Sequence, residues 1–198
     1  GTDNVALGNT ALDDGSLSGG YNTAVGSGSL SANTSGQQNA SFGAFSLDAN
    51  TTGSYNAGFG QSSLGSNTTG SYNTSLGRGT LSANTTADYN TAVGYNALLD
   101  NTTGANNVAH GAFALSNNTT ASDNTAIGFE SLLTNTTGSQ NTSVGRRNMR
   151  TNSTGTGNTS VGYNSMYYTS TGGNNVAIGV SALQANTTAS SNTAVGYN

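Results

Sequence analysis

Asn90 to Asn106 reads NTAVGYNALLDNTTGAN, and nearly every other stretch of the chain is a copy of it. The Asn that opens this unit recurs at Asn22, Asn39, Asn56, Asn73, Asn90, Asn107, Asn124, Asn141, Asn158, Asn175 and Asn192, always at a step of 17 residues. Self-similarity at a short fixed period is the mark of a stacked array, in which each repeat buries its apolar face only against its neighbours. Asn4 begins an earlier copy one residue longer, in which Asp13 to Gly20 (DDGSLSGG) replaces the NTTG segment. The chain therefore divides into an irregular first coil over 1–21, ten regular coils over 22–191 and the start of a further coil over 192–198, as expected of an excerpt from a longer array.

Numbering each unit from its opening Asn, position 5 is glycine in every copy, among them Gly26, Gly43, Gly60, Gly77, Gly94, Gly111, Gly128, Gly145, Gly162 and Gly179. A glycine required in each repeat predicts positive φ or close backbone approach, hence a corner. Position 9 is Leu30, Leu47, Leu64, Leu81, Leu98, Leu115, Leu132 and Leu183, with Met149 and Met166 in two coils. This column is expected to point inward.

Positions 2 to 4 run Thr or Val, then a small residue, then Val, Ile, Leu or Phe, which predicts a short alternating strand. Helix is the poorer reading, because Asn, Thr, Ser and Gly interrupt any helical run of useful length. Positions 12 to 15, typically NTTG, read as a second extended piece followed by a turn. The expected fold is all-β: a parallel β-solenoid of 17-residue coils with two short strands and two corners each.

Composition agrees with a thin, regular fold. Charged residues make up 6% and hydrophobic residues 32%, against about 25% and about 45–50% in ordinary globular domains. With about two large apolar side chains per coil, a lone rod is short of core, and association with identical chains is expected. Net charge is −4 and arginine, at Arg78, Arg146, Arg147 and Arg150, is the only cation type. No broad basic face for nucleic acid is present. The absence of cysteine excludes disulfides and thiolate metal sites, and no apolar run approaches the roughly 18 residues of a membrane span.

Asn174 to Gly179 reads NNVAIG, and other copies read NTAVG, NTSVG or NTAIG. The motif resembles the NSVAIG-type repeat of the YadA-like head domains of trimeric autotransporter adhesins, also met in bacteriophage tail fibres. The resemblance runs over nearly the whole chain through the NxAxG core, here with a longer, 17-residue period because NTTG extends each coil. It implies a left-handed parallel β-roll, three chains around a threefold axis, and attachment to host surfaces or matrix. It also implies that Val25, Val93, Ile127, Val144, Val161, Ile178 and Val195 take the inward Ile of the motif. Ala24, Ala92, Ala126, Ser143, Ser160, Ala177 and Ala194 would take its small middle residue, where another backbone comes close.

Residues that carry chemistry are few. His110, the only histidine, stands at position 4 as a packing variant, with an ion shared among three copies as the alternative. Arg146, Arg147 and Arg150 fall in one coil, as a solvated basic face or a contact for an acidic glycan or partner. Asp3, Asp13 and Asp14 lack the spacing of a calcium loop. The sequon N-x-[ST] recurs at position 12 as Asn33, Asn50, Asn67, Asn84, Asn101, Asn118, Asn135, Asn152 and Asn186. These are candidate glycosylation sites, although Asn and Thr in register also make amide and hydroxyl ladders that alone select NTT. Tyr55, Tyr72 and Tyr89 share the last position of consecutive coils and predict a short exposed aromatic ladder.

No catalytic, cofactor-binding or metal site is expected, and no enzymatic role. The function expected is that of a structural and adhesive fibre segment, extracellular or on a cell or virion surface. Its expected partners are copies of itself, as a homotrimer or filament, and a host surface, matrix or glycan receptor. The alternative is an ice-binding β-solenoid, which needs an outward threonine column repeated on a strand.

Overall fold

The computed structural model describes residues 3–197. Gly1, Thr2 and Asn198, at the outer ends of the first and last segments, lie outside them. Among the described residues there are twelve strands of three residues and no helix. They are β1 (Val5–Leu7), β2 (Thr23–Val25), β3 (Ala40–Phe42), β4 (Ala57–Phe59), β5 (Thr74–Leu76), β6 (Thr91–Val93), β7 (Val108–His110), β8 (Thr125–Ile127), β9 (Thr142–Val144), β10 (Thr159–Val161), β11 (Val176–Ile178) and β12 (Thr193–Val195). They form one parallel sheet in strict sequence order. Each residue pairs with its counterpart one coil away, as in Thr91↔Val108, Ala92↔Ala109 and Val93↔His110. The chain is a parallel β-solenoid about 50 Å long at an interstrand spacing of about 4.8 Å.

One strand per coil replaces the two expected. The NTTG segment does bond from coil to coil, but the amides of Thr102 and Thr103 both converge on the carbonyl of Thr119, at 2.8 and 3.3 Å. Two successive donors aimed at one acceptor make a bend, whereas a pleated strand alternates its amides between opposite sides.

The position-5 glycines form the corner that ends each strand, with φ from +119° at Gly94 to +145° at Gly196. A Cβ on Gly94 would stand 2.7 Å from the carbonyl carbon of Gly111 in the next coil. Glycine is thus required twice over, by conformation and by stacking. Positions 7, 9 and 17 are left-handed as well, mostly without glycine. The buried Leu and Met of position 9 have φ between +45° and +53°, a conformation that bulky residues rarely adopt. Each is held there by ladder bonds, such as Leu98 N–H to the Ala114 carbonyl at 3.0 Å.

The interior has one column of large apolar side chains, with buried alanines packed against it and polar columns beside them. Leu30 to Leu132, Met149 and Met166 are fully buried, and Leu183 in the last complete coil is half-buried. The Asn of position 1 is buried too: Asn107 donates its backbone N–H to Asn90 Oδ1 at 3.0 Å, while Asn90 Nδ2 donates to the Gly104 carbonyl at 2.9 Å. Each such Asn therefore closes its own coil and clamps the next. Buried Ser residues of position 8 find hydroxyls at position 3, as Ser63 with Ser75 and Ser131 with Ser143, both at 2.7 Å. Polar groups so buried are tolerated because they are bonded.

The extra residue of the first coil is absorbed in its polar loop. Asn4 Nδ2 reaches the Gly19 carbonyl, 15 residues on, where Asn22 Nδ2 reaches Gly36, 14 residues on. Strand β1 nevertheless pairs in register with β2.

Candidate binding surface

The strand places alternate residues on opposite faces. Positions 1 and 3 face inward, so Ala24, Ala92, Ala109, Ala126 and Ala177 are fully buried against the Leu column. Positions 2 and 4 therefore face out. This corrects the inward placement of Val25, Val93, Ile127 and Ile178: Val25 and Val93 are half-buried, while Ile127 and Ile178 are 40% and 43% exposed. The physical reason is space, since the Leu of position 9 fills the coil and leaves room at the strand only for Ala, Ser or Gly. Phe42 and Phe59 stack in the same outward column with centroids 4.9 Å apart. His110 stands there too, exposed, between Val93 and Ile127. The outer face thus carries Thr, Ala or Val in one column and larger apolar residues in the other.

The sequons resolve into structure. Asn33, Asn50, Asn67, Asn84, Asn101, Asn118, Asn135 and Asn152 are fully buried. Asn101 Nδ2 donates to Asn84 Oδ1 at 3.1 Å and to the Gly104 carbonyl at 2.9 Å, so both its amide hydrogens are engaged. A glycan there would replace a bonded hydrogen and pass through packed backbone, and the folded coil does not present these amides as acceptors. Asn186 is half-buried and donates to the Ala189 carbonyl. The threonines of position 13 bond the next coil, as Thr102 Oγ1 to the Thr119 carbonyl at 2.9 Å. Those of position 14, Thr52 through Thr188 at every coil, are exposed.

Tyr55, Tyr72 and Tyr89 do stack, with centroids 4.9 and 5.1 Å apart and planes within 7°. Tyr21 shares their column two coils before Tyr55, with Gln38 between. Beside this interruption lies an open hollow of about 460 Å³ walled by Tyr21, Thr23, Gln38, Asn39 and Ala40.

The arginines are partly neutralised and partly stacked. Arg147 Nε and Arg150 Nε both bond Glu130 Oε2, at 3.0 and 2.8 Å. Burial works to raise the Glu130 pKa, but hydrogen bonds and charge from Arg150, then Arg147, outweigh it and hold the carboxyl below the ordinary glutamate value. Arg146 lies between the rings of Phe129 and Tyr163, 5.8 and 5.6 Å from their centroids. Elsewhere Asp14 accepts from the hydroxyl and backbone N–H of Ser16, which lowers its pKa. Among the described residues no three His, Asp or Glu side chains are placed to hold a metal ion, and no helix is long and apolar enough to cross a membrane.

No protein-family model, curated protein or solved structure matches the chain.

Sequence reasoning missed the outward apolar column, the left-handed Leu residues and the Ser pairing between positions 3 and 8. Strict strand alternation from the invariant Asn would have found the first. A side chain repeated without variation in polar surroundings is more plausibly an interior clamp than a surface group, and two residues further on must face the same way. Nothing in a leucine announces a left-handed backbone.

Proposed function

We propose that the chain is a structural and adhesive fibre segment that works as an assembly of identical copies, outside the cell or on a virion. One observation carries this reading: the outward column of position 4 runs from Val25 through Phe42, Phe59, Leu76, Val93, Ile127, Val144, Val161 and Ile178 along a single sheet, broken only by His110. A continuous apolar stripe of this length is what interfaces cover. Two or three rods laid side by side would bury it on every chain at once, and identical coil spacing keeps the seams in register over the full length. The similarity to trimeric adhesin heads supports three copies, with the seam at position 4 rather than a core there. The polar remainder, uncharged for most of its length, would present the surface that meets a host cell, matrix or glycan.

The particle mass in solution tests this. The expected result is a trimer or a longer filament that Val93→Asp combined with Ile127→Asp dissociates. A stable monomer at micromolar concentration overturns it.

A second reading has gained an observation. Thr23, Thr74, Thr91, Thr125, Thr142 and Thr159 lie on the outward face of the sheet, repeated on strands as an ice-binding surface requires. Ala40, Ala57, Val108 and Val176 interrupt the column. Thermal hysteresis at micromolar protein would favour this reading, and its absence would remove it.

A further inference from the structure

We infer that the break in the tyrosine ladder at Gln38 is a binding site for one ring of a neutral saccharide. Its use in attachment rests on the adhesive reading above; its geometry does not. Tyr21, Gln38, Tyr55, Tyr72 and Tyr89 occupy the last position of successive coils, all left-handed with φ between +54° and +60°, so their side chains leave the backbone at equivalent places. Within the ladder, faces are used up. Tyr72 is covered on both sides, at 4.9 and 5.1 Å, while Tyr55 and Tyr89 are each covered on one. An exposed stack of this kind offers only ring edges, and a sugar that packs its C–H face on an aromatic ring needs a free face.

Free faces remain where the ladder is interrupted. Tyr55 has no ring on its Gln38 side, and Tyr21, 60% exposed, stacks on no ring among the described residues. Two coil spacings separate these tyrosines, about 9.6 Å. Gln38 stands in the coil between them, so a single puckered ring packs on the free face of Tyr21, with the Gln38 amide at its edge, rather than in a clamp of both tyrosines. The hollow of about 460 Å³ is walled by Tyr21 and Gln38 and not by Tyr55, and Ala40, standing where Thr23 and Thr74 have larger side chains, widens its rim. Gln38 makes no side-chain hydrogen bond within the described chain, so its amide keeps two donors and an acceptor for ring hydroxyls. No Asp, Glu or Arg lines the hollow, which selects an uncharged ligand.

The test titrates the full chain with cellohexaose and with maltohexaose, read by saturation-transfer NMR. At least one is expected to bind, and Tyr21→Ala to weaken it by about tenfold or more, the loss of roughly 1.4 kcal/mol. Gln38→Tyr should abolish binding by completing the ladder while leaving the melting temperature unchanged or raised, which separates a filled site from a misfolded chain. Tyr89→Ala, which only shortens the ladder at its far end, should stay within about twofold of the parent. The inference is overturned if neither sugar binds at about 10 mM, if Gln38→Tyr binds as the parent does, or if Tyr89→Ala weakens binding as much as Tyr21→Ala. Particle mass on the same samples separates the two proposals. A trimer or filament that binds neither sugar removes the site and keeps the fibre; a monomer that binds removes the fibre and keeps the site.

Discussion

The columns at positions 4 and 9 are both apolar in sequence, yet one lies outside the coil and the other inside. Leu98 is fully buried, whereas Val93, five residues earlier in the same coil, is half-buried on the outer face of the sheet. The difference teaches that apolar character does not by itself locate the core of a fold this thin. A coil with one strand has room for one large side chain, and the remaining interior is filled by amides and hydroxyls that bond to their copies. Inward positions are therefore tied to near-identity from coil to coil, since a ladder needs the same partner above and below. Outward positions are free to vary, and positions 6 and 17 do vary, between tyrosine, glutamine, arginine, asparagine and alanine.

The largest contrast is expected between truncations of these two columns. Leu98→Ala should lower stability by about 2–5 kcal/mol through lost burial and the cavity left behind, and Val93→Ala by about 1 kcal/mol or less, read as shifts in urea unfolding. A Val93 loss that grows with protein concentration would measure the proposed seam between copies, whereas equal losses at every concentration would place position 4 in the core of the single chain and break the contrast.

The two kinds of glycine make the next contrast. Gly94→Ala meets both a positive φ and the Gly111 backbone, and should cost about 3 kcal/mol. Gly104→Ala has no positive φ to overcome, but its Cβ would stand 2.1 Å from the Ala121 carbonyl oxygen. Ala87 and Ala121 occupy the same position 15 in neighbouring coils, so the coil can shift to take the methyl and a smaller cost of about 2 kcal/mol is expected. Thermal unfolding of the two variants side by side checks the order.

How much of this was legible depends on what each feature looks like along a chain. The period, the corner at Gly94, the buried Leu98 column and the Tyr55–Tyr89 ladder follow from repetition, because a residue recurring at a fixed place must meet its own copies. Position 4 was not legible, because the family resemblance assigned it an inward role that strand alternation from Asn90 contradicts. The second strand failed at Thr102 and Thr103, whose β-branched side chains suit a strand while their amides share one acceptor. The gap at Gln38 was readable as a missing Tyr, but its meaning depends on which ring faces are covered, and that is set only in the stacked coils.

Within the interior, the Asn ladder of position 12 can be broken or mended. Asn101→Ala removes the donors to Asn84 Oδ1 and the Gly104 carbonyl and the acceptor for Asn118 Nδ2. A loss of about 2 kcal/mol is expected, since Asn84 and Asn118 are left with buried unpaired groups. Nature has made one such break at Thr169, which stands where the other coils have Asn and bonds the Asn186 carbonyl instead. As a result Asn152 Oδ1 is buried without a hydrogen-bond partner. Thr169→Asn should supply the missing Nδ2 donor and raise stability by about 1 kcal/mol. A fall in the melting temperature would show that the Thr169 bond outweighs the orphaned amide.

The smallest effect belongs to the outer face, at the one place where charge is organised. Glu130 is held below its ordinary pKa by Arg150 and Arg147 against the opposing effect of its own burial. A lowered folded-state value means that the contribution is fully present above the unfolded-state pKa of about 4.3 and is lost as pH falls through the folded value. The chain should therefore lose a little stability on acidification below about pH 4, and Glu130→Gln should remove that part of the dependence. Because water reaches both guanidiniums, 38% and 29% exposed at the side chain, the pair is worth about 1 kcal/mol or less. Urea unfolding at neutral pH and at acid pH, for the parent and for Glu130→Gln, reads the difference. If the two chains lose stability in parallel, the Glu130 cluster has no measurable hold on the coil and the acid sensitivity lies in other groups.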